Sequence, residues 1–411
     1  MDTLFPRCAG IDVHKATVVV CVRCADRPGK ASEEVRTFAT MTRELLALSD
    51  WLAEHGVTHV AMESTGVYWK PVFNILEGRF AVLLVNAEHI KQVPGRKTDV
   101  KDCQWIAQLL QHGLLKASFV PPEPVRELRD LTRQRTQLVA EKASAANRIQ
   151  KVLEDANIKL ASVATDVLGT SGRAMLEALI AGVTDPEQLA DLARMRLRAK
   201  IPELRLALQG RVTEHHRFLL RMHLDHIGHL EELIGRLSGR IEEVMAPFAE
   251  AATRLATIPG VSQRVAETVV AEIGPCMEQF PTAGHLASWA GMSPGNNESA
   301  GKRRSGHTTH GNRWLRQMLV QAAWAASRTK GTYLAAQYRR LARRRGTKRA
   351  LVAVGHTLLV MIYQVLKKGV VYAELGAAFL ERLEPERLTR QLVKRLEALG
   401  HKVTLEPRPA A

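Results

Sequence analysis

Four acidic residues in the first part of the chain have the types and spacing that metal-assisted phosphoryl transfer uses. Asp99 and Asp102 lie three residues apart, close to the apolar run WIAQLL, while Asp12 and Glu63 lie in two predicted strands. Residues i and i+3 of a helix are about 5–6 Å apart at Cβ, which suits carboxylates shared around metal ions roughly 3.5–4 Å apart. Because all four side chains are oxygen donors, the ion that they favour is Mg²⁺ (or Mn²⁺) rather than zinc.

A simpler interpretation also fits Asp99 and Asp102 when they are taken alone. Acidic side chains at a helix N-terminus are stabilised by the helix dipole and by the open N–H groups there. On that interpretation the two aspartates form a solvated first turn beside Arg96, Lys97 and Lys101. The order of the surrounding elements is therefore needed to choose between the two.

The elements that must position these acids follow an order typical of a mixed α/β sheet. Three β runs come first, at residues 8–13, 16–24 and 33–39. Helix, strand, helix and strand then alternate, and a last helix begins near Asp99. In such a layered sheet, the ends of neighbouring strands and the start of an adjoining helix can converge on one rim. The sequence therefore predicts that the four carboxylates meet there.

The composition indicates a polyanionic partner. The 411 residues contain 58 Lys and Arg against 42 Asp and Glu, a formal charge of +16, which favours nucleic acid over a membrane surface. No run reaches the roughly 18 apolar residues of a membrane span, and the N-terminal residues MDTLFPRCAG lack the apolar stretch expected of a signal peptide. We expect a cytoplasmic protein of two or three domains, with no membrane partner. The five cysteines are odd in number and sparse, which predicts reduced thiols.

Three fragments in order, GIDVHK, AMESTGVYW and KTDVKDCQWIAQLL, carry a family resemblance. The set resembles the RuvC-like domain, of RNase H fold, in insertion-sequence transposases with a D-E-D-D quartet, the bridge recombinases. The resemblance implies that Asp12, Glu63, Asp99 and Asp102 are catalytic acids that bind the metal. It favours the metal site over a solvated helix turn.

The middle of the chain, residues 121–250, has the pattern of long amphipathic helices. One begins after the Pro-rich PPEP and another runs from His215 to Met245. They predict a helical hairpin or coiled-coil arm that joins protomers, holds nucleic acid, or does both. His223, His226 and His229 lie in the second helix, where we expect solvated or RNA-facing side chains rather than a metal cluster.

A second region, residues 251–375, contains candidate nucleophilic serines and candidate phosphate-binding residues. The stretch LATIPGVSQRVAETVVAEIG predicts two helices joined at a Pro-Gly turn, either an ordinary hairpin or one whose turn amides approach a phosphate. The letters GMSPG match a hydrolase nucleophile elbow, but no strand is predicted before Ser293, so we reject that assignment.

The same region resembles the C-terminal transposase domain of the bridge recombinases, through GMSP, SAG, KRR and GNRWLR. The resemblance implies that Ser299 is the catalytic nucleophile. Ala300 departs from a position that is often glycine in that family, which leaves the geometry of the loop open, as well as the choice among Ser293, Ser299 and Ser305.

Positive charge is concentrated after this serine. Residues 301–349 contain 14 Lys and Arg and no Asp or Glu, which predicts contact with a phosphate backbone. The predicted nucleic-acid-binding residues are Lys302, Arg303, Arg304, Arg313, Arg316, Arg339, Arg340, Arg343, Arg344 and Arg345.

The resemblance implies further partners and a division of the chain. It implies DNA as substrate, a guide (bridge) RNA, and a homo-oligomeric synapse of two or four subunits, acting at the bacterial nucleoid. We expect a RuvC-like domain over residues 1–120, the arm over 121–250, the transposase domain over 251–375 and a tail over 376–411. Two alternatives stay open: a RuvC-like nuclease or junction resolvase with water as nucleophile, and a non-enzymatic nucleic-acid-binding protein.

Overall fold

The chain divides into two units, each with its own set of elements. The computed structural model describes residues 2–27, 30–64, 66–86, 102–295, 297–305, 307–379 and 385–406. The first unit is Met1–Val120 and the second is Pro121–Ala411. Asp99 lies outside the described residues, so its place in the predicted metal site stays a prediction.

A five-stranded mixed sheet is the centre of the first unit. Its strands are β1 (Arg7–Val13), β2 (Thr17–Arg27), β3 (Lys30–Ala39), β4 (His59–Glu63) and β5 (Ala81–Val85). Their order across the sheet is β3-β2-β1-β4-β5, in which β1, β2 and β3 are antiparallel neighbours and β4 and β5 run parallel to β1. The predicted mixed α/β sheet is confirmed, and it is consistent with an RNase H-like domain.

Three helices cover the two faces of this sheet. They are α1 (Thr42–Glu54), α2 (Trp69–Leu76) and α3 (Asp102–Gln111). Strand side chains alternate between the faces, so Ile11, Val60 and Leu84 share one face and pack with Leu48 of α1 and Val72 of α2. The β-branched and apolar residues of the central strands thus form a core on that side.

The opposite face is covered by α3. Cys8, Ala61 and Val85 form a cluster there with Ile106 and Leu110 of that helix. The helix lies close to β1 because Gly10 has no side chain: a Cβ at this position would stand 2.3 Å from both the Cys103 carbonyl oxygen and the Ala107 nitrogen.

The second unit is mostly helical. It begins with a long helix, followed in the chain by several short helices and then by a second long helix. In chain order these are α4 (Glu123–Asp155), α5 (Leu160–Val163), α6 (Thr170–Ile180), α7 (Pro186–Asp191), a 3₁₀ helix (Met195–Lys200), α8 (Ile201–Ala207) and α9 (Glu214–Met245). The long helices α4 and α9 match the two predicted amphipathic segments. We call residues 156–213, between them, the tip subdomain.

Helices α4 and α9 pack in opposite directions. The carboxylate of Asp155, at the end of α4, lies 2.8 Å from His216 Nε2 near the start of α9, whereas Arg135 donates to Ser238 far along α9 at 2.9 Å. His216 also closes the capping box with Thr213 at the start of α9. The tip subdomain therefore lies at the joined end of an antiparallel helix pair.

The rest of the second unit is a cluster of helices with one small hairpin of strands. Its elements are α10 (Ala249–Ala256), α11 (Gln263–Ile273), α12 (Ala283–Trp289), β6 (Asn297–Ser299), β7 (Lys302–Ser305), α13 (Arg313–Ala326), α14 (Tyr333–Arg345), α15 (Thr347–Lys368) and α16 (Pro385–Ala398).

Helix α15 bears on the expectation that no segment spans a membrane. Among the described residues, it is the one helix that is long and apolar enough to do so by length and composition, which is weak evidence for a span. Its Leu358, Leu359 and Ile362 are fully buried, and the hydroxyl of Tyr363 donates to the Phe280 carbonyl at 3.0 Å. These contacts give α15 the position of a core helix, which explains its composition without a bilayer.

Candidate active site

Asp12 and Glu63 lie at the carboxyl ends of adjacent parallel strands. The register of β1 and β4 pairs Gly10 with Ala61, so Asp12 and Glu63, each two residues further along, come side by side. Since residues i and i+2 of a strand face the same way, both acids belong to the sheet face that holds Gly10 and Ala61. That is the face covered by α3.

The start of α3 reaches the same rim. Asp102 is the first residue of the helix, and the Cys103 carbonyl lies over Gly10. The far end of the helix meets the start of β1, because the backbone N–H groups of Leu4 and Phe5 donate to the Gln111 carbonyl. Helix α3 therefore runs opposite to β1 and brings Asp102 to the end of the sheet where Asp12 and Glu63 lie. We call these three residues the acid rim.

The acid rim also holds a basic partner that the sequence reasoning missed. His14 Nε2 lies 3.1 Å from a carboxylate oxygen of Asp12, whose side chain is 20% exposed. The available signal was the spacing, because residues two apart at a strand end share a side of the sheet. Among the described residues no three His, Cys, Asp or Glu side chains are grouped closely enough to hold a metal ion.

The floor beneath the acid rim is apolar. Cys8 and Cys21 are fully buried under α3, and burial raises the pKa of each thiol to about 12. All five cysteines are free thiols, with Cys276 exposed, which fits the predicted reduced state. The thiols of the floor are therefore protonated at neutral pH, so they are inert and offer no thiolate to a metal.

Ser299 ends the first strand of a tight β-hairpin, which settles a loop geometry that the sequence had left open. It pairs with Lys302 across the hairpin, and only Ala300 and Gly301 connect the strands. Both connecting residues have positive φ, 49° and 72°, as in the primed turns whose twist matches paired strands. Since alanine rarely adopts this conformation, the residues at 300 and 301 were a weak indication of such a turn.

The hairpin stands on a narrow stem. Pro294 forms a bridge with Thr308, and the N–H of Gly295 donates to the His307 carbonyl at 2.8 Å. Below the stem the backbones of Gly291 and Gly311 touch, since a Cβ on Gly311 would stand 2.2 Å from the Gly291 nitrogen. The GMSP and GNRW segments thus form the two sides of one stem, and Asn312 follows at its base.

A buried ion cluster fixes this base. The carboxylate of Glu272, with 0% exposure, accepts from Arg133 Nε at 2.7 Å and Nη2 at 2.8 Å, and from the amide nitrogen of Asn312. Asn312 in turn caps α13 by accepting from the N–H groups of Trp314 and Leu315. We call Glu272, Arg129, Arg133 and Asn312 the hairpin base.

Arg129 completes the hairpin base. Its guanidinium donates to the carbonyls of Ala271 at 3.1 Å and Glu272 at 2.6 Å. Burial lowers the pKa of Arg129 to about 10, against the opposing effect of the Glu272 carboxylate, and the group stays charged at neutral pH. Sequence reasoning missed this cluster, although an acid inside the apolar run VVAEIG was a signal that it would need a buried partner.

The predicted basic surface lies mainly on α14. Arg339, Arg340 and the three arginines at residues 343–345 are exposed, and Arg313 is exposed with its guanidinium 4.7 Å from the Trp314 ring centroid. Lys302 is exposed in the hairpin, whereas the side chains of Arg303 and Arg304 lie outside the described part.

The sequence allows two interpretations of the Pro-Gly turn of residues 259–260, an ordinary hairpin and a hairpin whose turn contacts a phosphate. Gly260 has a φ of 87°, and a Cβ there would stand 2.4 Å from the Ala322 carbonyl of α13. The glycine therefore permits close helix packing, which favours the ordinary hairpin.

Two family models match the chain in the regions that hold these features. One, a transposase model of the DEDD type of IS110, matches residues 9–158, and the other, described as "Transposase IS116/IS110/IS902 family", matches residues 252–339. The first includes the acid rim, and the second includes Glu272 and Ser299. By both matches, the chain belongs to the IS110 transposase family.

A relative from Streptomyces coelicolor agrees with this assignment. The chain is similar to the "Insertion element IS110 uncharacterized 43.6 kDa protein", with 29% identity over 119 residues. The match spans 29% of the chain and 29% of that relative.

Proposed function

We propose that this IS110-family chain is a metal-dependent DNA transposase that cuts and rejoins DNA through a phosphoserine intermediate. The observation that carries the proposal is the placement of Asp12, Glu63 and Asp102 at one rim of an RNase H-like sheet, although 90 residues separate the first from the last. A fold that needed these acids only as solvated side chains gives no reason for all three to share one rim.

The chemistry of the acid rim fits a hard divalent cation. Carboxylate oxygens suit Mg²⁺ or Mn²⁺, and the thiols of the floor are protonated and do not compete for the ion. Asp12, Glu63 and Asp102 are not grouped closely enough in the described structure to hold an ion by themselves, and in this proposal they would hold it together with Asp99, whose position lies outside the described residues. When bound, such an ion would supply positive charge that offsets the negative charge of the reacting phosphate.

Ser299 is the proposed nucleophile. Its oxygen forms a bond to the scissile phosphorus, the bond from phosphorus to the 3′ oxygen breaks, the serine loses its proton, and the departing 3′ oxygen gains one. The product is a DNA 5′ end linked to serine beside a free 3′-hydroxyl, so the reverse attack rejoins DNA without ATP. The hairpin that carries Ser299 is held at its base by Glu272, and Lys302 supplies an exposed cation beside it.

The remaining parts of the proposal concern partners. We propose that a guide RNA encoded by the element selects the DNA, that the basic surface of α14 contacts phosphates, and that two or four subunits assemble in the synapse. The exposure of the arginines on α14 supports the proposed phosphate contacts. Sequencing of RNA that co-purifies with the chain tests for the guide RNA, and recovery of random cellular RNA would contradict that part of the proposal.

The acids are tested by isosteric replacement. Asp12→Asn, Glu63→Gln and an Asp99→Asn, Asp102→Asn double variant should each abolish strand cleavage in Mg²⁺ while nucleic-acid binding is retained. The matched control is Asp50→Asn, an exposed acid on α1 that pairs with Arg79 and should cleave normally. Undiminished cleavage by the double variant would contradict the metal-site proposal.

A covalent protein–DNA adduct distinguishes serine from water as the nucleophile, because only attack by serine links the protein to DNA. On a nicked substrate that cannot rejoin, the chain should form a protein–DNA adduct that Ser299→Ala abolishes, with Ser293→Ala and Ser305→Ala as controls. Peptide mapping then locates the linked serine. Cleavage by Ser299→Ala without any adduct would favour the alternative, a RuvC-like nuclease or resolvase that uses water.

A further inference from the structure

The 3₁₀ segment of the tip subdomain carries a second concentration of positive charge. Between Asp191 and Glu203 the chain contains four cations and no acid. They are Arg194, Arg196, Arg198 and Lys200. The three arginines are exposed, and no carboxylate of the described residues pairs with their guanidinium groups. Unpaired cations at this density attract a polyanion.

Met195 lies among these arginines in an arrangement that folding does not explain. Its side chain is 87% exposed, so it contributes almost no apolar burial to the folded state. Its φ is 51°, a left-handed conformation that costs an L-residue about 1–2 kcal/mol. Strain of this kind, held at an exposed residue, points to a function outside the core.

The segment that carries Met195 is anchored to the tip subdomain at several points. The backbone N–H of Arg194 donates to Ser171 Oγ at 2.9 Å, and Lys200 Nζ donates to the Val163 carbonyl at 3.1 Å. Leu197 packs against the core of the tip subdomain. These contacts fix both ends and the middle of the 3₁₀ helix, so the exposed side chains project from a rigid support.

We propose that residues 194–200, the tip basic surface, bind duplex DNA from the minor groove, with the arginines on phosphates and groove edges and Met195 inserted between base pairs. Proteins that bend DNA combine these two features, cations in the minor groove and an apolar wedge that unstacks one base step. The tip basic surface lies on other elements than the acid rim, Ser299 and α14, so the proposal stands whether or not the proposed reaction is correct.

The first test measures the salt dependence of binding by the full chain to a 30-base-pair DNA duplex. A variant with Arg194→Gln, Arg196→Gln and Arg198→Gln should lose about 0.9 in the slope of log K against log salt for each phosphate contact removed. The matched control carries Arg390→Gln, Lys394→Gln and Arg395→Gln on α16 and removes the same charge. An unchanged slope in the first variant, or an equal change in both, would overturn the proposal.

The second test measures the wedge. A duplex that contains 2-aminopurine should gain fluorescence when the wild-type chain unstacks it, and Met195→Ala should lose that gain while the salt slope is retained. Leu206→Ala is the control, because Leu206 is a 71% exposed apolar residue in the same subdomain. Full fluorescence gain with Met195→Ala would exclude the wedge.

Binding to an RNA stem of the same length tests whether the tip basic surface is specific for a DNA duplex. The wide, shallow minor groove of A-form RNA offers no comparable base step to wedge, so Met195→Ala should weaken binding of the DNA duplex more than binding of the RNA stem. A larger loss for the RNA stem would overturn the assignment to DNA. All substituted side chains are exposed, and an unchanged thermal midpoint confirms that each variant is folded.

Discussion

The acid rim and the hairpin base hold chemically active residues by different means. In the acid rim the charges lie at the end of an apolar floor, and backbone topology places them: parallel strands end together, and α3 lies close because Gly10 lacks a side chain. In the hairpin base a buried charge does the positioning, with Glu272 bound by Arg133 and Asn312. The first site should therefore respond most to added volume, and the second most to a lost charge.

The largest expected effect is on the hairpin base. Glu272→Ala leaves the guanidinium groups of Arg129 and Arg133 without their buried partner, which should cost about 3–5 kcal/mol of the free energy of unfolding. Urea denaturation of the second unit's transition measures this cost, and amide exchange of α11 and α13 should quicken. Asn312 also loses an acceptor, so the cap of α13 should weaken with it.

Glu242→Ala is the matched control for this prediction. Glu242 also pairs with an arginine, Arg264, but its side chain is 66% exposed, and exposed pairs contribute about 0–1 kcal/mol. If the two alanine variants lost similar stability, burial would not be what gives Glu272 its importance, and the comparison with the acid rim would fail.

The next largest effect is expected at the floor of the acid rim. Gly10→Ala places a Cβ against the backbone of Cys103 and Ala107, and overpacking of this kind costs about 1–3 kcal/mol. Because α3 must shift to make room, Asp102 should move from the acid rim. The loss of strand-cleavage activity should therefore be larger than the loss in the free energy of unfolding explains. Gly78→Ala is the control, since a Cβ there meets nothing within 4 Å.

The elements of the acid rim could be predicted because their signals are local. Alternating strands, the order of helices and the acids at element ends are all visible over a few residues, as with Asp12 and Asp102. The hairpin base could not be predicted in the same way, because Arg133 and Glu272 are 139 residues apart and no local pattern pairs them. The turn at Ala300 was missed because alanine disfavours the conformation it adopts there.

The fold of the tip subdomain could not be predicted from the sequence for a similar reason. Its short helices bury residues such as Leu176, Leu189 and Leu204 against one another and against the long helices, so their pattern has meaning only once α4 and α9 are paired. The histidines of α9 are a related case. No local pattern marked His216 as the buried side chain that closes the capping box of this helix.

Thiol labelling separates the two regions without any nuclease assay. A pKa of about 12 for Cys8 and Cys21 leaves roughly one thiol in ten thousand ionised at pH 8, and only the thiolate reacts. In the native chain Cys276, which is exposed, should therefore label with iodoacetamide far ahead of both. Mass spectrometry of the labelled peptides gives the rates.

The same labelling can be combined with the two substitutions above. Gly10→Ala should speed labelling of Cys8 and Cys21 because it loosens α3, whereas Glu272→Ala should leave both unchanged because it acts in the other unit. If Glu272→Ala exposed Cys8 as strongly as Gly10→Ala does, the two regions would not be independently held, and the difference drawn between them would be wrong.

The smallest expected effect lies at the top of the hairpin, away from its base. Ala300 has a φ of 49°, which costs an L-residue about 1–2 kcal/mol, while glycine there would cost about 0.5–1 kcal/mol in conformational entropy. Ala300→Gly should therefore stabilise the hairpin by about 0.5–1 kcal/mol, seen as slower amide exchange in β6 and β7. Ala300→Val should act in the opposite direction, because a β-branched residue tolerates positive φ still less than alanine. Faster exchange in the glycine variant would mean that the strain at Ala300 is offset by contacts of its own side chain, and that the hairpin is fixed at its turn as well as by Glu272.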